Sequence, residues 1–481
     1  MKSMKIFALL LAFVLLVGAA GMLPSSVTPK MAPFLVKGPM AVLAQAPAGG
    51  GSPIYTCQVG LNPGVVCYDP FQIRHAYAVD QLITVGYTGK GRTIVIIDAF
   101  QSPTLIADLD WFDAAYGLPL HGTFLTQIAP DGLTPFVPSD STMQGWAGEI
   151  TLDVEWAHAI APAAHIVLVL AKSSDDADIL HATQYAVSHN LGDVISQSFG
   201  ENESCVDPSI LAAEHQLYVN ATKKGITIFA SSGDDGAAQQ TCDTLSWTKA
   251  VSSPASDPLV TAVGGTELHA ADYCLTVLGC NPATHPLPGT YQGEIGWNEY
   301  NQMSSGGGYS VLYGKPVYQG KSVSGKARGV PDISYSAAVY HGVLVRFQGG
   351  TWLFGGTSAG SPQWAAIAAI ADQKAGKRLG FINGALYHLS QTIRYPNVLH
   401  DVIIGYNSVV EPDASNAPVS VPGFSSIPGW DAVTGLGSPN TFQLVNWLIA
   451  LGPNYSLPPF SMLNPNASGN PTNGTSLVSP H

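Results

Sequence analysis

The stretch Gly355-Gly356-Thr357-Ser358-Ala359-Gly360-Ser361-Pro362 lies between a strand-like segment, residues 351–354, and an apolar run, residues 363–370. A turn of small residues at a strand-to-helix junction exposes a serine hydroxyl and points the first amides of the helix at the group that is attacked. We therefore predict that Ser358 is a nucleophile. A serine hydroxyl needs a base, so another part of the chain must supply one.

Strand and helix patterns alternate upstream of this turn. Short apolar runs predict buried strands at residues 92–98, 165–170, 194–198 and 226–230. Helical patterns occupy residues 102–116, with Ser102 as the N-cap, and residues 144–160, 175–189 and 208–224. This alternation predicts an α/β fold with a mainly parallel central sheet and helices on both faces. Residues 270–350 are rich in glycine, tyrosine and polar residues, and we expect long surface loops there.

The composition limits the class of protein. Of the 481 residues, 46% are apolar and only 11% are charged, and the formal net charge is −13 at pH 7. No basic cluster stands out, which argues against a nucleic-acid partner. A low density of charge suits acidic surroundings, where carboxylates lose their charge at about pH 4. A surface that is simply rich in small polar residues would give the same composition, so this alternative stays open.

The ends of the chain differ from its middle. Lys2 and Lys5 precede an apolar run at residues 6–17, and residues 1–21 are typical of a signal peptide for export. An uncleaved anchor is the alternative; no later run is long enough for a membrane span, so none is expected in the mature chain. Residues 22–54 are expected to be a short propeptide or linker, 55–451 the folded domain, and 452–481 a Pro/Asn/Ser-rich tail.

Six cysteines agree with export, because an even count in an oxidising compartment indicates disulfides. Their connectivity does not follow from the sequence alone. Proximity favours Cys57–Cys67 and Cys274–Cys280, which leaves Cys205–Cys242. No cysteine or histidine spacing indicates zinc.

Histidine is the first candidate base. His121-Gly122-Thr123 resembles the start of the histidine motif of subtilisins, and with Asp98 it would complete a triad on Ser358. However, Phe124 stands where that motif has a second histidine, and the prolines that follow interrupt any helix. The triad Asp98, His121 and Ser358 remains an alternative.

A pair of acids is the second candidate. Glu149 and Asp153 are four residues apart in the helical pattern at 144–160, so they share one face, about 6 Å apart along the axis. If that face is buried, the two carboxyls disfavour each other's charge, and the pKa of one rises. Such a pair can accept the serine proton in acid. The alternative is a solvated helix face on which Glu155 is also exposed.

An aspartate in a turn is the third feature. Ser232-Gly233-Asp234-Asp235-Gly236 follows a predicted buried strand. The corresponding turn of subtilisin-like enzymes carries an asparagine that donates to the oxyanion, and an aspartate donates only when it is protonated. A protonated carboxyl can serve as an oxyanion donor where its pKa is raised or the medium is acidic. An ordinary turn is the alternative.

Glu149-x-x-x-Asp153, the turn at Asp234 and Gly356-Thr357-Ser358-Ala359-x-x-Pro362, in this order, resemble motifs of the sedolisin family of serine-carboxyl peptidases. The resemblance covers about residues 68–451. It implies a subtilisin-like fold in which glutamate replaces histidine, and cleavage of peptide bonds through an acyl-enzyme at acidic pH. By position it makes Ser358 the nucleophile, Glu149 the general base and Asp153 its orienting partner, and it makes Asp234 the oxyanion donor.

Two further segments resemble the family. Ser198-Phe199-Gly200 resembles the end of the substrate-lining strand, with Phe199 in place of the tryptophan of some members. Asp98 lies where some members carry a carboxylate that extends the proton network; a buried acid capping a loop is the alternative reading.

A third resemblance concerns one structural calcium ion. The implied ligands are carboxylates and main-chain carbonyls, at Asp401, Val402, Ile427, Gly429 and Asp431. Ile427 replaces a usual glycine, so its carbonyl can serve only if its backbone suits a residue with a side chain. A Gly/Asp turn without metal is the alternative.

The family's large folded prodomain has no counterpart among the roughly 50 residues that precede the domain, which are too few for a separate fold of that kind. We therefore expect activation by another route, or latency from neutral pH alone.

Together these features predict a secreted, monomeric, acid-active endopeptidase that acts on polypeptides outside the cell, in an acidic environment. A subtilisin-like protease with a histidine base and a non-catalytic, calcium-stabilised binding protein are the alternatives. Cleavage preference stays open, as does endo- versus tripeptidyl-peptidase activity.

Overall fold

The computed structural model describes residues 30–34, 36–45, 52–271 and 289–452. The predicted signal peptide, the pair Cys274–Cys280 and all but the first residue of the predicted tail lie outside these ranges.

A central sheet organises the domain. Its strands, in spatial order, are Thr290–Gly296, Thr261–Ala271, Thr227–Ser231, Val194–Gln197, Thr93–Ala99, His165–Ala171 and Leu125–Ile128, and Ile333–Ser336 also pairs with Thr261–Ala271. All of these pairings are parallel except the one made by Thr290–Gly296. The predicted, mainly parallel sheet is confirmed.

Helices cover both faces of this sheet. The α-helices of the described chain are α1 (Pro70–Ala76), α2 (Asp80–Thr84), α3 (Leu105–Tyr116), α4 (Ser141–Ile160), α5 (Asp176–Ser188), α6 (Pro208–Lys223), α7 (Gly360–Ala375), α8 (Asn383–Leu389), α9 (Tyr395–Val398) and α10 (Thr441–Leu451). Along the strand Thr93–Ala99, Ile94 and Ile96 join the apolar cluster that contains α3, α4 and α7 residues, whereas Val95 and Ile97 join the cluster with α5 and α6 residues. Alternate side chains of one strand therefore fill two cores, as expected for a strand covered on both faces.

The predicted helices at 144–160, 175–189 and 208–224 correspond to α4, α5 and α6 within a few residues at each end. The start predicted for α3 was wrong: the helix begins at Leu105, and Thr104 rather than Ser102 precedes it. The Ser102 hydroxyl hydrogen-bonds with the Thr151 hydroxyl of α4 instead of capping the helix (3.1 Å). A tertiary contact has thus replaced the local cap.

The expectation of long surface loops at residues 270–350 was wrong for most of the described part. It contains the strands Thr290–Gly296, Asn298–Glu299, Met303–Ser304, Gly308–Gly314, Ala327–Val330, Ile333–Ser336 and His341–Phe347. Several of its polar residues are buried, and these are paired. Arg328 and Asp332, for example, form a fully buried ion pair (Nη2–Oδ2 2.5 Å).

A second, four-stranded sheet leads into the Ser358 turn. In spatial order it contains Val36–Met40, Gly350–Gly355, His341–Phe347 and Val66–Tyr68. A small sheet places Ala32–Pro33 beside Phe199–Asn202, which also pairs with Ser252–Ser253. Part of the segment expected to be a propeptide or linker is therefore in strands.

The remaining strands form two-stranded ladders: Leu43–Gln45 with Ile54–Tyr55, Ala238–Gln240 with Trp247–Lys249, Leu399–His400 with Ser438–Pro439, and Val409–Pro412 with Pro418–Val421. The disulfides Cys57–Cys67 and Cys205–Cys242 are present as predicted. Within the described ranges, no helix is both long enough and apolar enough to cross a bilayer.

Candidate active site

The turn that carries Ser358 depends on an unusual backbone conformation just before it. Residues Thr357–Ala359 form a 3₁₀ turn that runs directly into α7. Gly356, just before it, has a φ of +94°, a conformation that L side chains rarely adopt. A side chain there would also collide with the Phe34 carbonyl oxygen and with Asp234 Oδ2. Glycine is therefore required for the serine to sit at this junction.

Two acids of α4 reach this serine. The Ser358 hydroxyl donates to Glu149 Oε2 (2.9 Å). Glu149 and Asp153 lie one turn apart and are fully buried, so the solvated-face alternative was wrong; Glu155 is buried too, and its Oε2 accepts from the Arg346 amide (3.0 Å). The helix begins at a local signal, because the Asp140 side chain caps it by accepting from the amides of Thr142 and Met143.

Asp98 completes a cluster of three buried carboxyls. It lies in the strand Thr93–Ala99, and neither of its oxygens meets a hydrogen-bond donor in the part of the chain that the structure describes. No described residue outside the carboxyl pair donates to Glu149 Oε1 or Asp153 Oδ1, and the two carboxyls can share a proton in a hydrogen bond; Asp153 Oδ2 accepts from the Ser198 hydroxyl (2.8 Å). Buried carboxylate oxygens without donors are unfavourable, so protons are expected within the cluster.

Burial is the main cause that raises the pKa of each of these acids. The negative charge of Asp153 raises the pKa of Glu149 and of Asp98 further, well above the usual range. Burial raises the pKa of Asp153 as well, but its hydrogen bonds with Ser198 and Glu149 oppose the rise, so Asp153 is the member of the pair that ionises first. The cluster therefore retains protons at pH values at which exposed carboxyls are ionised.

Asp234 lies on the other side of the serine. Its Oδ1 accepts from the Thr357 amide (2.7 Å) and the Thr357 hydroxyl (2.9 Å), while its Oδ2 is buried and no described residue donates to it. Burial raises the pKa of Asp234 well above its usual value, although both Thr357 hydrogen bonds oppose the shift. The Phe34 carbonyl oxygen accepts from the Ser358 amide (3.1 Å), and this oxygen and Asp234 Oδ2 both lie within 2.4 Å of where a Gly356 Cβ would be. A protonated Asp234 is therefore placed to donate to an oxygen that the Ser358 amide also binds.

The histidine alternative is not assembled. His121 lies in a half-exposed 3₁₀ turn, and its Nδ1 pairs with Asp110 of α3. The recorded partners of the Ser358 hydroxyl are Glu149 and the Ser198 carbonyl oxygen (3.3 Å). The geometry therefore favours a carboxyl base over an imidazole.

The predicted substrate-lining residues divide into two groups. The Ser198 side chain turns towards Asp153, and the Phe199 ring is buried beside Trp146 (ring centroids 5.8 Å apart), so the backbone rather than the Phe199 side chain lines the cleft. That backbone carries a segment that the sequence reasoning missed: Ala32 and Pro33 pair antiparallel with Gly200 and Phe199. No periodicity around residue 33 indicated this contact.

The predicted calcium ligands are brought together near α9. Asp401 Oδ2 accepts from the Gly429 amide (2.9 Å), and Asp431 Oδ2 accepts from the Ile427 amide (3.1 Å). The Val402 carbonyl oxygen accepts from the Thr434 hydroxyl (3.4 Å). Among the described residues, Asp401 Oδ1 is buried and accepts no hydrogen bond of ordinary geometry, although the Tyr395 hydroxyl lies near enough to the carboxyl to lower its pKa; a buried oxygen of this kind fits a cation ligand.

The backbone conformation at Ile427 suits a residue with a side chain. Ile427 does not have a positive φ, whereas Gly429 has one of +83°. The Ile427 side chain is half exposed and so needs no space within the loop. A different donor set occurs at Glu267, His269 and His341, whose ligand atoms lie within 4.8 Å of one another. With two imidazoles it does not suit calcium, which prefers oxygen.

Comparison with known proteins agrees with this arrangement. A family model described as the Subtilase family matches residues 143–388, which include Glu149, Asp153, Asp234 and Ser358. The chain belongs to the subtilase family.

Within the subtilase family, the similarity is to the sedolisins, as the motifs predicted. The chain is 31% identical over 393 residues to kumamolisin from Bacillus sp. (strain MN-32), which covers 79% of this chain and 64% of that protein. It is 31% identical over 382 residues to sedolisin from Pseudomonas sp. (strain 101), with 76% and 59% covered. The chain thus spans about three fifths of the length of these relatives.

A solved structure extends the comparison to the fold. Pseudomonas sedolisin, a serine-carboxyl proteinase complexed with two molecules of pseudo-iodotyrostatin, superposes with a TM-score of 0.66 at 28% identity. The match covers 80% of this chain and 99% of that one. The predicted subtilisin-like α/β fold is confirmed.

Proposed function

We propose that this subtilase is an acid-active serine-carboxyl endopeptidase that hydrolyses peptide bonds through an acyl-enzyme on Ser358. The observation that carries the proposal is the hydrogen bond from the Ser358 hydroxyl to Glu149 Oε2 (2.9 Å) inside a buried carboxyl cluster. A buried carboxylate that accepts this proton is the base that a serine nucleophile requires.

The residues divide the reaction between them. Ser358 Oγ attacks the carbonyl carbon of the peptide bond while Glu149 takes the hydroxyl proton, and the proton that Glu149 already holds passes to the Asp153 carboxylate, which Ser198 holds in place. Glu149 then protonates the leaving amine. Water enters, Glu149 takes its proton, and hydrolysis of the ester restores Ser358.

The Ser358 amide and protonated Asp234 would stabilise the oxyanion of each tetrahedral intermediate. This requirement for a protonated donor places activity in acid. As the pH rises through the raised pKa of Asp234, the donor proton is lost and the rate falls. At the lowest pH, the last proton-accepting oxygen of the carboxyl cluster is filled and the rate falls again.

The two disulfides support secretion, the low density of charged residues suits an acidic extracellular environment, and polypeptides are the proposed substrates. A monomer is proposed, because the site draws all of its groups from one chain.

A structural calcium ion is proposed at Asp401, Val402, Ile427, Gly429 and Asp431. Chelation is expected to lower the unfolding temperature, because a ligand that binds only the folded state at 100 times its Kd contributes about 2.7 kcal/mol. Calorimetry in EDTA and in excess calcium would measure the difference. Asp401→Asn together with Asp431→Asn should abolish it, whereas Asp413→Asn, on an exposed acid, should not. Equal unfolding temperatures for the unsubstituted protein would contradict the site.

Digestion of an unfolded protein tests the function. The wild-type chain is expected to cleave it between about pH 3 and 5 and to lose activity towards pH 8, and the fragments would be read by mass spectrometry. The Ser358→Ala variant, prepared in parallel, controls for contaminating peptidases. His121→Ala should behave as the wild type. Activity that peaks at pH 8 and disappears in His121→Ala would instead establish the imidazole triad.

A further inference from the structure

Glu267, His269 and His341 form a cluster of side chains of the kinds that bind metal ions, and none of them belongs to the catalytic cluster. Glu267 and His269 are two residues apart in the strand Thr261–Ala271, so their side chains project from the same face of the central sheet. His341 begins the strand His341–Phe347 of the second, four-stranded sheet. The ligand atoms of the three side chains lie within 4.8 Å of one another, so the cluster joins the two sheets.

Both imidazoles of this cluster face one carboxylate oxygen. His269 Nε2 lies 3.2 Å from Glu267 Oε1, and His341 Nε2 lies 3.7 Å from the same oxygen. Zinc binds imidazole nitrogens and carboxylate oxygens at about 2.0–2.2 Å, which places two ligands of a tetrahedral ion about 3.3 Å apart. The spacing of the carboxylate from each ring therefore suits an ion that lies between them.

The backbone fixes the tautomer of His341. Its Nδ1 hydrogen-bonds with the Leu268 carbonyl oxygen (3.1 Å), which can only accept, so Nδ1 carries the proton and donates. In the neutral ring, Nε2 then has a lone pair that faces Glu267 Oε1. Two acceptor atoms that face each other repel unless a cation lies between them. A histidine whose other ring nitrogen donates to a backbone carbonyl is also the usual arrangement of a metal-bound histidine.

The surroundings of the cluster admit a cation. The side chains of Glu267, His269 and His341 are 18%, 43% and 20% exposed, so an ion can reach them from solvent. Gly293, which pairs with His269 on the neighbouring strand, adds no side chain there. The hydrogen bond with Glu267 raises the pKa of His269, and the charge of Glu294 adds to the rise. The electrostatic field at the ring is thus negative, and it favours a bound cation.

We propose that Glu267, His269 and His341 form a binding site for a divalent transition-metal ion of the zinc type. Two imidazole nitrogens and one carboxylate oxygen suit such an ion, whereas calcium and magnesium prefer oxygen ligands throughout. Three protein ligands leave a position for water. The bound ion would tie the central sheet to the second sheet, which leads into the Ser358 turn, so it would stabilise that junction. Histidine spacing along the chain did not predict this site, because its third ligand comes from another sheet.

Equilibrium dialysis of the full-length chain against Zn²⁺ at about pH 7.5, where imidazoles are mostly neutral, measures the site. Excess Ca²⁺ is present throughout, so that the proposed calcium site is filled. We expect one Zn²⁺ per chain. His269→Ala and His341→Ala should each weaken binding by more than about tenfold, because loss even of a hydrogen-bond partner of a ligand costs about 10- to 100-fold.

Two variants control for zinc bound elsewhere. His181→Ala removes a surface histidine that pairs with the single carboxylate of Asp131 (2.6 Å), and it should bind zinc as the wild type does. Glu149→Gln alters the catalytic cluster and should also bind as the wild type. Circular dichroism would establish that each variant is folded.

The unfolding temperature provides a second measurement. In excess Ca²⁺, Zn²⁺ at 100 times its Kd should raise the unfolding temperature of the wild type by about 3 °C. Glu267→Gln, which keeps the shape of the side chain, should lose most of this rise, and Mg²⁺ in place of Zn²⁺ should not produce it.

A wild-type chain that binds no Zn²⁺ in excess Ca²⁺ would overturn the proposal, as would folded His269→Ala and His341→Ala variants that bind it as tightly as the wild type. Protonated imidazoles would then be the partners of Glu267. Either result would leave the peptidase function standing, because that function is measured by digestion of an added polypeptide.

Discussion

Replacing Ser358 by alanine or Glu149 by glutamine is expected to lower kcat/KM for peptide hydrolysis at about pH 4 by roughly 10⁴- to 10⁶-fold. Alanine removes the attacking oxygen. Glutamine has nearly the shape of the glutamate that accepts the hydroxyl proton at 2.9 Å, but its amide cannot take that proton. The double variant should lose little more than the worse single variant, because nucleophile and base act as a unit.

Glu155→Gln is the matched control, because Glu155 lies on the same helix and is as fully buried, yet its carboxylate accepts from the Arg346 amide rather than from the serine. It is expected to keep hydrolysis near the wild-type rate. Steady-state kinetics on a peptide, with folding checked by circular dichroism, would measure all four variants. If Glu149→Gln kept more than about a tenth of the wild-type kcat/KM, Glu149 would not be the base.

Asp234→Ala is expected to lower kcat/KM at about pH 4 by roughly 10²- to 10³-fold, the usual loss for one oxyanion donor. Asp234→Asn should retain far more activity. Its carbonyl can still accept from the Thr357 amide and hydroxyl, and its NH₂ group can donate where the protonated carboxyl would. The comparison separates loss of the donor from loss of the turn.

The pH profile of the asparagine variant provides the sharper test. Burial raises the pKa of Asp234, so the wild-type donor is present below that pKa and disappears as the pH rises through it. An amide does not titrate. In Asp234→Asn, the fall of kcat/KM on the alkaline side should therefore occur at higher pH than in the wild type, where the carboxyl cluster rather than residue 234 limits the rate. Asp235→Asn removes an adjacent buried acid whose charge helps to raise the pKa of Asp234, so it should move the limb in the opposite direction, to lower pH. An unmoved limb in Asp234→Asn would exclude Asp234 as the protonated donor.

Much of the fold was predictable because local patterns agreed with the tertiary structure. The β-branched run at 92–98 became the strand Thr93–Ala99, and the helical pattern at 144–160 became α4, capped by Asp140. Prediction failed where distant partners replaced local ones. Ser102 bonds to Thr151 of α4 instead of capping α3, and Arg328 is buried in a polar segment because it pairs with Asp332.

The order of the residues alone determined that Glu149 and Asp153 share one helix face, since the helical repeat brings positions four apart together. It also determined that Ser358 follows a glycine at a strand-to-helix turn. Only the tertiary structure decided that this face is buried against a hydroxyl 209 positions away and that Asp98 joins it. Only the tertiary structure showed that the Phe34 carbonyl oxygen accepts from the Ser358 amide. Burial and long-range contacts depend on how the sheets and helices assemble, and they set the pKa values on which the chemistry depends. Spacing along the chain determines only which residues lie close together within one helix or turn.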